Sequence, residues 1–166
     1  MKLIEIWQAD LEKAYYLQNS FEQDETGFVN RAFGYSFDEF CKYVNECELH
    51  SYGQNLPEGY VPDTIYILEN DEGDYVGIFN LRHFLNEFLE NGPGHIGYGI
   101  SKEYRKYGYG TKGLGLTLEK ARNLGITEAY LSCYKSNEGS LKVQLNNGGV
   151  IHHEDEKYYY TRIKLI

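Results

Sequence analysis

Residues 94–124 read GHIGYGISKEYRKYGYGTKGLGLTLEKARNL and predict three elements in succession. Up to Ser101, large apolar side chains alternate with other residues, as in a strand. From Thr111 onward, apolar side chains recur at helical spacing. Between them lies a loop with glycines at positions 108 and 110. Glycine permits positive φ and a close backbone approach to a ligand, and N–H groups at a helix start bind anions. The stretch therefore predicts a strand, an anion-binding loop suited to a pyrophosphate, and a helix.

The loop is positively charged although the chain is acidic overall. Lys102, Arg105, Lys106 and Lys112 surround it and only Glu103 opposes them, whereas the formal net charge of the 166-residue chain is -9. The dipole at a helix start adds typically about 0.3–1 kcal/mol toward an anion at an exposed site. An ordinary glycine-rich turn with solvated basic side chains is the alternative interpretation.

The pattern Arg105-x-x-Gly108-x-Gly110 between a strand and a helix resembles the acetyl-CoA pyrophosphate loop of the GNAT superfamily of acyl-CoA-dependent N-acyltransferases. Residues 124–126 and 129–133 resemble the helix exit and the next strand of that family, and Asn137 and Ser140 stand where it has an Asn and a small residue. The resemblance is good after residue 92 and poor before residue 60. Residues 80–86 and 94–98 resemble, more specifically, a bacterial subgroup of predicted acetyltransferases.

The resemblance implies a fold, a co-substrate and a set of binding residues. The expected fold is α/β, layered as α+β, with a mixed, mostly antiparallel central sheet and a splayed βαβ unit that holds acetyl-CoA; no metal is expected. Asn137 would lie beside the pantetheine arm, or cap the helix that starts at Glu138. The residues expected to bind the co-substrate are Ile100, Arg105, Lys106, Tyr107, Gly108, Tyr109, Gly110, Thr111, Asn137 and Ser140.

Acetyl transfer to an amine needs a neutral amine, a polarised thioester carbonyl and a proton for the departing thiolate. His95 shares a strand face with Gly97 and Gly99 and is a candidate proton relay, as is His83; a hydrogen-bonded structural histidine is the alternative for both. Arg82 is expected either to hold a substrate carboxylate or to form a structural ion pair.

The proton donor to the thiolate is the point at which the chain departs from the family pattern. Many members have a Tyr where this chain has Gln144, and an amide is a far poorer acid than a phenol. The role passes to Tyr134, to one of the tyrosines at 158–160, or to water, and core packing is the alternative for each tyrosine.

Local patterns predict the remaining elements of a single domain over residues 1–166. Residues 3–7 indicate a strand, Asp10 caps a first helix, and Ser36 with Glu39 forms a capping box before a second. Residues 64–69 and 75–81 indicate a hairpin, and residues 84–90 a short helix. The tyrosine-rich last strand is expected to expose an edge that could pair two copies as a homodimer.

Composition restricts the location and the partners. The chain is 42% hydrophobic and 25% charged, no apolar run approaches the ~18 residues of a membrane span, and a cytoplasmic location is expected. The acidic balance, with a pI near 5.0, disfavours nucleic acid as a partner. Three cysteines without paired spacing indicate reduced thiols.

Three hypotheses on function follow. The first is acetyl-CoA-dependent N-acetylation of a primary amine on a small molecule or peptide by direct attack. The second is a non-catalytic module that binds or senses acyl-CoA, motivated by Gln144 and by the lack of an obvious base. The third is a nucleotide-binding module that uses the same loop, although the chain lacks the Gly-Lys-Ser/Thr ending of phosphate-transfer sites.

Overall fold

The computed structural model describes residues 1–166 and arranges the strands in two main sheets and a small hairpin. The four-stranded sheet has the order β1 (Lys2–Glu5), β4 (Asp63–Glu69), β5 (Tyr75–Arg82), β6 (Ile96–Ile100). The three-stranded sheet has the order β7 (Glu128–Tyr134), β9 (Tyr158–Lys164), β8 (Val150–Glu154). The hairpin pairs β2 (Asp24–Glu25) with β3 (Phe28–Val29). The helices are α1 (Leu11–Asn19), α2 (Phe37–Ser51), α3 (Glu87–Glu90), α4 (Tyr109–Asn123) and α5 (Glu138–Asn146).

The two sheets meet at β6 and β7, which α4 connects. Every strand pair within the sheets is antiparallel. Between the sheets there is an isolated backbone bridge from Gly94 to Leu131, and the His95 N–H donates to the Tyr130 carbonyl at 2.7 Å. The predicted α/β fold with mostly antiparallel strands and a splayed βαβ unit is confirmed. β6 and β7 separate after this bridge and leave a cleft between them.

The four-stranded sheet carries a hydrophobic core on each face. Successive residues of β4 alternate between the two cores: Ile65 and Ile67 pack with α1 and α2, whereas Tyr66 and Leu68 pack with α4. This alternation follows from the period of two in a strand, and a strand buried on both faces reads as a continuous apolar run. The sheet is therefore a middle layer that fixes where α4 begins.

Several local predictions are confirmed. The Asp10 side chain accepts from the Lys13 N–H and caps α1, and Ser36 and Glu39 form both bonds of the predicted capping box at α2. The β4–β5 hairpin turns at Asn70, whose side-chain oxygen accepts the backbone N–H groups of residues 72 and 74.

Other elements differ from their predicted bounds. The first strand ends at Glu5, and a 3-10 turn follows over Ile6–Gln8. The helix expected over residues 84–90 is only the single turn α3, because Asn86 caps it by accepting from the Leu89 N–H. The tyrosine-rich β9 is the central strand of its sheet and exposes no edge; the exposed edge strand is β8. No helix is long and apolar enough to span a membrane.

Candidate active site

The loop before α4 presents free backbone donors at the start of the helix. Gly108 precedes the helix with φ +82°, and Lys106 also has a positive φ, +69°. The first α-helical bond joins the Lys112 N–H to the Gly108 carbonyl at 3.1 Å, so the preceding N–H groups have no acceptor within the helix. No acidic side chain occupies the first turn. The predicted anion-binding geometry is therefore present at this helix start.

The basic side chains of the loop are partly neutralised by the β2–β3 hairpin. Arg105 donates to the Ile100 carbonyl at 2.9 Å and to the Glu25 carboxylate at 3.0 Å, and Lys102 lies 3.3 Å from the same carboxylate. Burial alone would raise the pKa of Glu25, but the hydrogen bonds that it accepts, from Arg105 among others, lower it overall. Arg105 thus anchors the hairpin to the loop, whereas Lys106 forms no ion pair.

A first cavity of about 630 Å³ lies between β6 and β7 and extends to the start of α4. Most residues predicted to bind the co-substrate line it. Tyr107 does not, because its ring is 71% exposed on the outside of the loop. The predicted residues that line the cavity are Ile100, Arg105, Lys106, Gly108, Tyr109, Gly110, Thr111, Tyr134, Asn137 and Ser140.

Asn137 caps α5 and holds the tip of the hairpin. Its side-chain oxygen accepts the Ser140 N–H at 3.0 Å, and its Nδ2 donates to the Thr26 hydroxyl at 3.1 Å. The capping interpretation is therefore observed, and Asn137 also lines the first cavity. The hairpin lines the first cavity and is anchored on both sides of it. Glu25 bonds Arg105 of the loop, and Thr26 bonds Asn137 at the start of α5. No local sequence signal predicts these contacts, since the partners are 80 and 111 residues apart.

Gln144 belongs to a buried polar cluster. It is 0% exposed, its Oε1 accepts from the Thr161 hydroxyl at 2.7 Å, and its Nε2 donates to the Ser140 hydroxyl at 3.3 Å. The Ser140 hydroxyl also lies 2.9 Å from the Tyr98 hydroxyl, and burial raises the pKa of Tyr98 to about 12. Gln144 lines no large cavity, so its amide is structural. Strand alternation places Tyr98 beside the cleft, a signal that the sequence prediction did not use.

A second cavity, of about 470 Å³, adjoins the first. The two cavities share wall residues from both splayed strands, notably Gly97 on β6 and Ser132 and Tyr134 on β7. Polar side chains in its wall include Asp24, Arg31, Asn80 and Arg82. The cleft thus consists of two compartments that meet at the β6–β7 separation.

Tyr134 is brought to this junction. Its ring stacks on Tyr158 with centroids 4.5 Å apart, and the hairpin glycine Gly27 packs against its other edge. The adjacent Tyr134 hydroxyl and partial burial raise the pKa of Tyr158 to about 12. Among the three predicted catalytic residues, only Tyr134 lines the cavities.

The two predicted catalytic histidines lie outside both cavities. His95 is 7% exposed, and its Nδ1 accepts the Tyr130 N–H at 3.0 Å. Burial, with the charges of Arg82 and Arg162, lowers the pKa of His95 to about 4. His83 bonds the Thr64 hydroxyl at 2.8 Å, and burial lowers its pKa. This placement contradicts the predicted proton relay and agrees with the alternative of structural histidines.

Together these features define an α/β protein with an anion-binding helix start at one end of a two-compartment cleft. Residues 3–150 match the acetyltransferase (GNAT) domain family. The chain belongs to this family. The predicted family and enzyme class are thereby confirmed, and acetyl-CoA is the acyl donor that this class uses.

Solved structures with the same fold cover nearly the whole chain. The N-acetyltransferase PseH of Campylobacter jejuni, in complex with acetyl coenzyme A, is 16% identical over 98% of this chain and 97% of its own, with a TM-score of 0.65. Spermidine N-acetyltransferase of Vibrio cholerae, in complex with CoA and spermine, is 16% identical over 99% of this chain and 95% of its own, with a TM-score of 0.65. A GNAT-family acetyltransferase of Streptococcus pneumoniae is 18% identical over 98% of this chain and 97% of its own, with a TM-score of 0.62. A comparison with curated protein sequences gives no significant match.

Proposed function

We propose that the protein transfers the acetyl group of acetyl-CoA to a primary amine by direct attack. The observation that carries the proposal is the two-compartment cleft, in which the first cavity begins at the free N–H groups of α4 and the second meets it at Tyr134. The first cavity would hold the co-substrate and the second the amine. A single domain over residues 1–166 would contain the whole site.

The pyrophosphate would bind at the start of α4. The free N–H groups around Gly108 and the nearby Lys106 supply donors and positive charge there. From this position the pantetheine arm would extend between β6 and β7, past Ile100 and Ser140, toward the junction. The V. cholerae and C. jejuni structures hold CoA or acetyl-CoA on the same fold, which supports this assignment.

The chemistry would occur where the two cavities meet. The amine nitrogen attacks the thioester carbonyl carbon, a tetrahedral intermediate forms, and the C–S bond then breaks to give the amide and a thiolate. The ammonium proton leaves to water through the open second cavity, since neither histidine reaches it. Tyr134, which lines both cavities, would donate its phenolic proton to the thiolate and regain one from water.

Thiol release tests this function directly. Acetyl-CoA is mixed with the protein and with a panel of primary amines, and free CoA thiol is followed over time. Each amine is matched with its trimethylammonium analogue, which has no lone pair for attack. We expect thiol release with primary amines only. Release that is equal for both members of every pair would indicate hydrolysis of the thioester and contradict the proposal.

A further inference from the structure

The second cavity contains a half-buried arginine without an ion pair. Arg82 lies on β5, and its guanidinium donates to the Gly94 carbonyl at 2.9 Å, but no carboxylate lies within 4.0 Å of it. Burial and the neighbouring Arg31 lower the pKa of Arg82 to about 10, so it remains charged at neutral pH. A buried charge is costly unless a partner compensates it. The wall of the cavity thus offers a cation that no carboxylate of the protein contacts.

Asn80 lies two residues before Arg82 on the same face of β5. It lines the same cavity, is 7% exposed, and its buried side-chain oxygen Oδ1 has no hydrogen-bond partner in the protein. Its opposite residue on β6 is Gly97, which lies at the junction of the two cavities. Because buried polar groups are almost always paired, an unpaired carbonyl oxygen at this position indicates a ligand group that donates to it.

The other charges of the cavity leave Arg82 unneutralised. Arg31 is paired with Asp63 at 2.9 Å, and Asp63 lies opposite Arg82 in the β4–β5 ladder. The Asp63 carboxylate therefore pairs with Arg31 and does not contact Arg82. The remaining acidic residue of the wall, Asp24, is exposed on the β2–β3 hairpin. The inner part of the cavity consequently carries an excess of one positive charge.

We propose that the second cavity selects primary amines that also carry a carboxylate, as amino acids do. The inference rests on the proposed function, which assigns this cavity to the acceptor. Arg82 binds the carboxylate, and the unpaired Asn80 oxygen accepts from the amine, which points toward Gly97 and Tyr134. A polyamine has no group for Arg82 and would bring like charge to it.

Pairs of amines that differ only in the carboxylate test the selectivity. The pairs are lysine and cadaverine, ornithine and putrescine, and tyrosine and tyramine. Each compound is titrated calorimetrically into the protein saturated with CoA, so that affinity is measured without turnover. We expect the carboxylate member of at least one pair to bind about tenfold or more tightly. Equal affinities in every pair, or tighter binding of the decarboxylated members, would overturn the inference.

Two variants locate the selectivity. Arg82→Gln should abolish the difference within a pair, whereas Arg82→Lys should keep part of it. Arg122→Gln is the matched control, because Arg122 also bonds a backbone carbonyl, that of Leu165, but lies outside both cavities. The acetyl-CoA affinity of each variant shows whether the fold is retained. A difference that persists in Arg82→Gln would contradict the assignment.

Thiol release separates this inference from the proposed function. Transfer to amines without a preference for the carboxylate would overturn the inference and leave the proposed function intact. Selective binding of the carboxylate members without thiol release from acetyl-CoA would overturn the proposed function and leave the carboxylate site intact.

Discussion

Tyr134 lines both cavities, whereas the buried Gln144 lines neither. The family pattern predicts the acid at position 144, but the Gln144 amide there is hydrogen-bonded to Thr161, to Ser140 and to the Ser132 carbonyl. A phenol at the junction can protonate a thiolate, and an amide within the core cannot. We therefore propose that the general acid lies at the end of β7, at Tyr134, rather than on α5.

Replacement of Tyr134 by Phe should reduce kcat without weakening acetyl-CoA binding. Loss of a general acid costs typically about 10²-fold or more in rate, and the ring still stacks on Tyr158. Stopped-flow thiol release gives kcat, and calorimetry gives the acetyl-CoA Kd. Tyr159→Phe is the control, because Tyr159 lines neither cavity. Equal kcat values in both variants would assign the proton to water.

His95 acts through its neutral form, as a backbone acceptor between the two sheets. Its pKa of about 4 in the folded protein lies below the value near 6.5 of the free side chain. The unfolded chain therefore binds more protons between these values. The contribution of His95 to stability is complete above about pH 6.5 and is lost as the pH falls toward 4.

His95→Asn should reduce this loss of stability in acid. The Asn side-chain oxygen can accept the Tyr130 N–H as Nδ1 does, but it does not titrate. Urea unfolding at pH 7.5 and at pH 5 measures the difference in free energy of unfolding for each protein. We expect a smaller difference in the variant, and an equal or larger one would show that His95 is not held neutral.

At the scale of elements, helix α4 fits closely on the sheet because of Gly113. A Cβ at this position would overlap the Phe79 ring and press on Leu68, whereas Gly115 faces only the tip of the Asn147 side chain. The glycine is explained by packing against the sheet rather than by contact with the cofactor. The position of the helix start depends on this packing.

Gly113→Ala should therefore destabilise the protein by about 1–3 kcal/mol, despite the better helix propensity of Ala. Gly115→Ala, on the same helix, should change the free energy of unfolding by between zero and a gain of about 1 kcal/mol. Urea unfolding measures both variants. If Gly113→Ala were as stable as Gly115→Ala, the close packing of α4 on Phe79 would be wrong.

The elements that the sequence predicts well are those with local determinants. Ser36 and Glu39 are three residues apart, and the β4–β5 turn is satisfied by its own Asn70. The β2–β3 hairpin was missed because its anchors, Arg105 and Asn137, lie far along the chain. The same reason explains why β9 was wrongly predicted to be an edge strand, since the order of strands in a sheet is not a local property.

At the scale of the whole molecule, an acidic chain forms a cleft whose two ends are both suited to anions. The helix start of α4 lies at the end of the first cavity, and Arg82 lies in the second. The spacing of the loop residues, together with the family resemblance, predicted most of the loop that lines the first cavity. It did not show that Glu25 neutralises Arg105 or that both histidines are buried, because burial and ion pairing arise from the complete fold.

Acetyl-CoA binding by Gly108→Asp, with Gly125→Asp as control, tests the central claim most directly. Gly108 has a φ of +82° and Gly125 a φ of +81°, and a Cβ added to either would meet no atom within 4 Å. The two glycines lie at opposite ends of α4. Asp at position 108 places bulk and negative charge at the proposed pyrophosphate site. We predict that calorimetry will show acetyl-CoA binding weakened about 100-fold or more in Gly108→Asp and unchanged in Gly125→Asp. Equal affinity in the two variants would contradict the assignment of the loop.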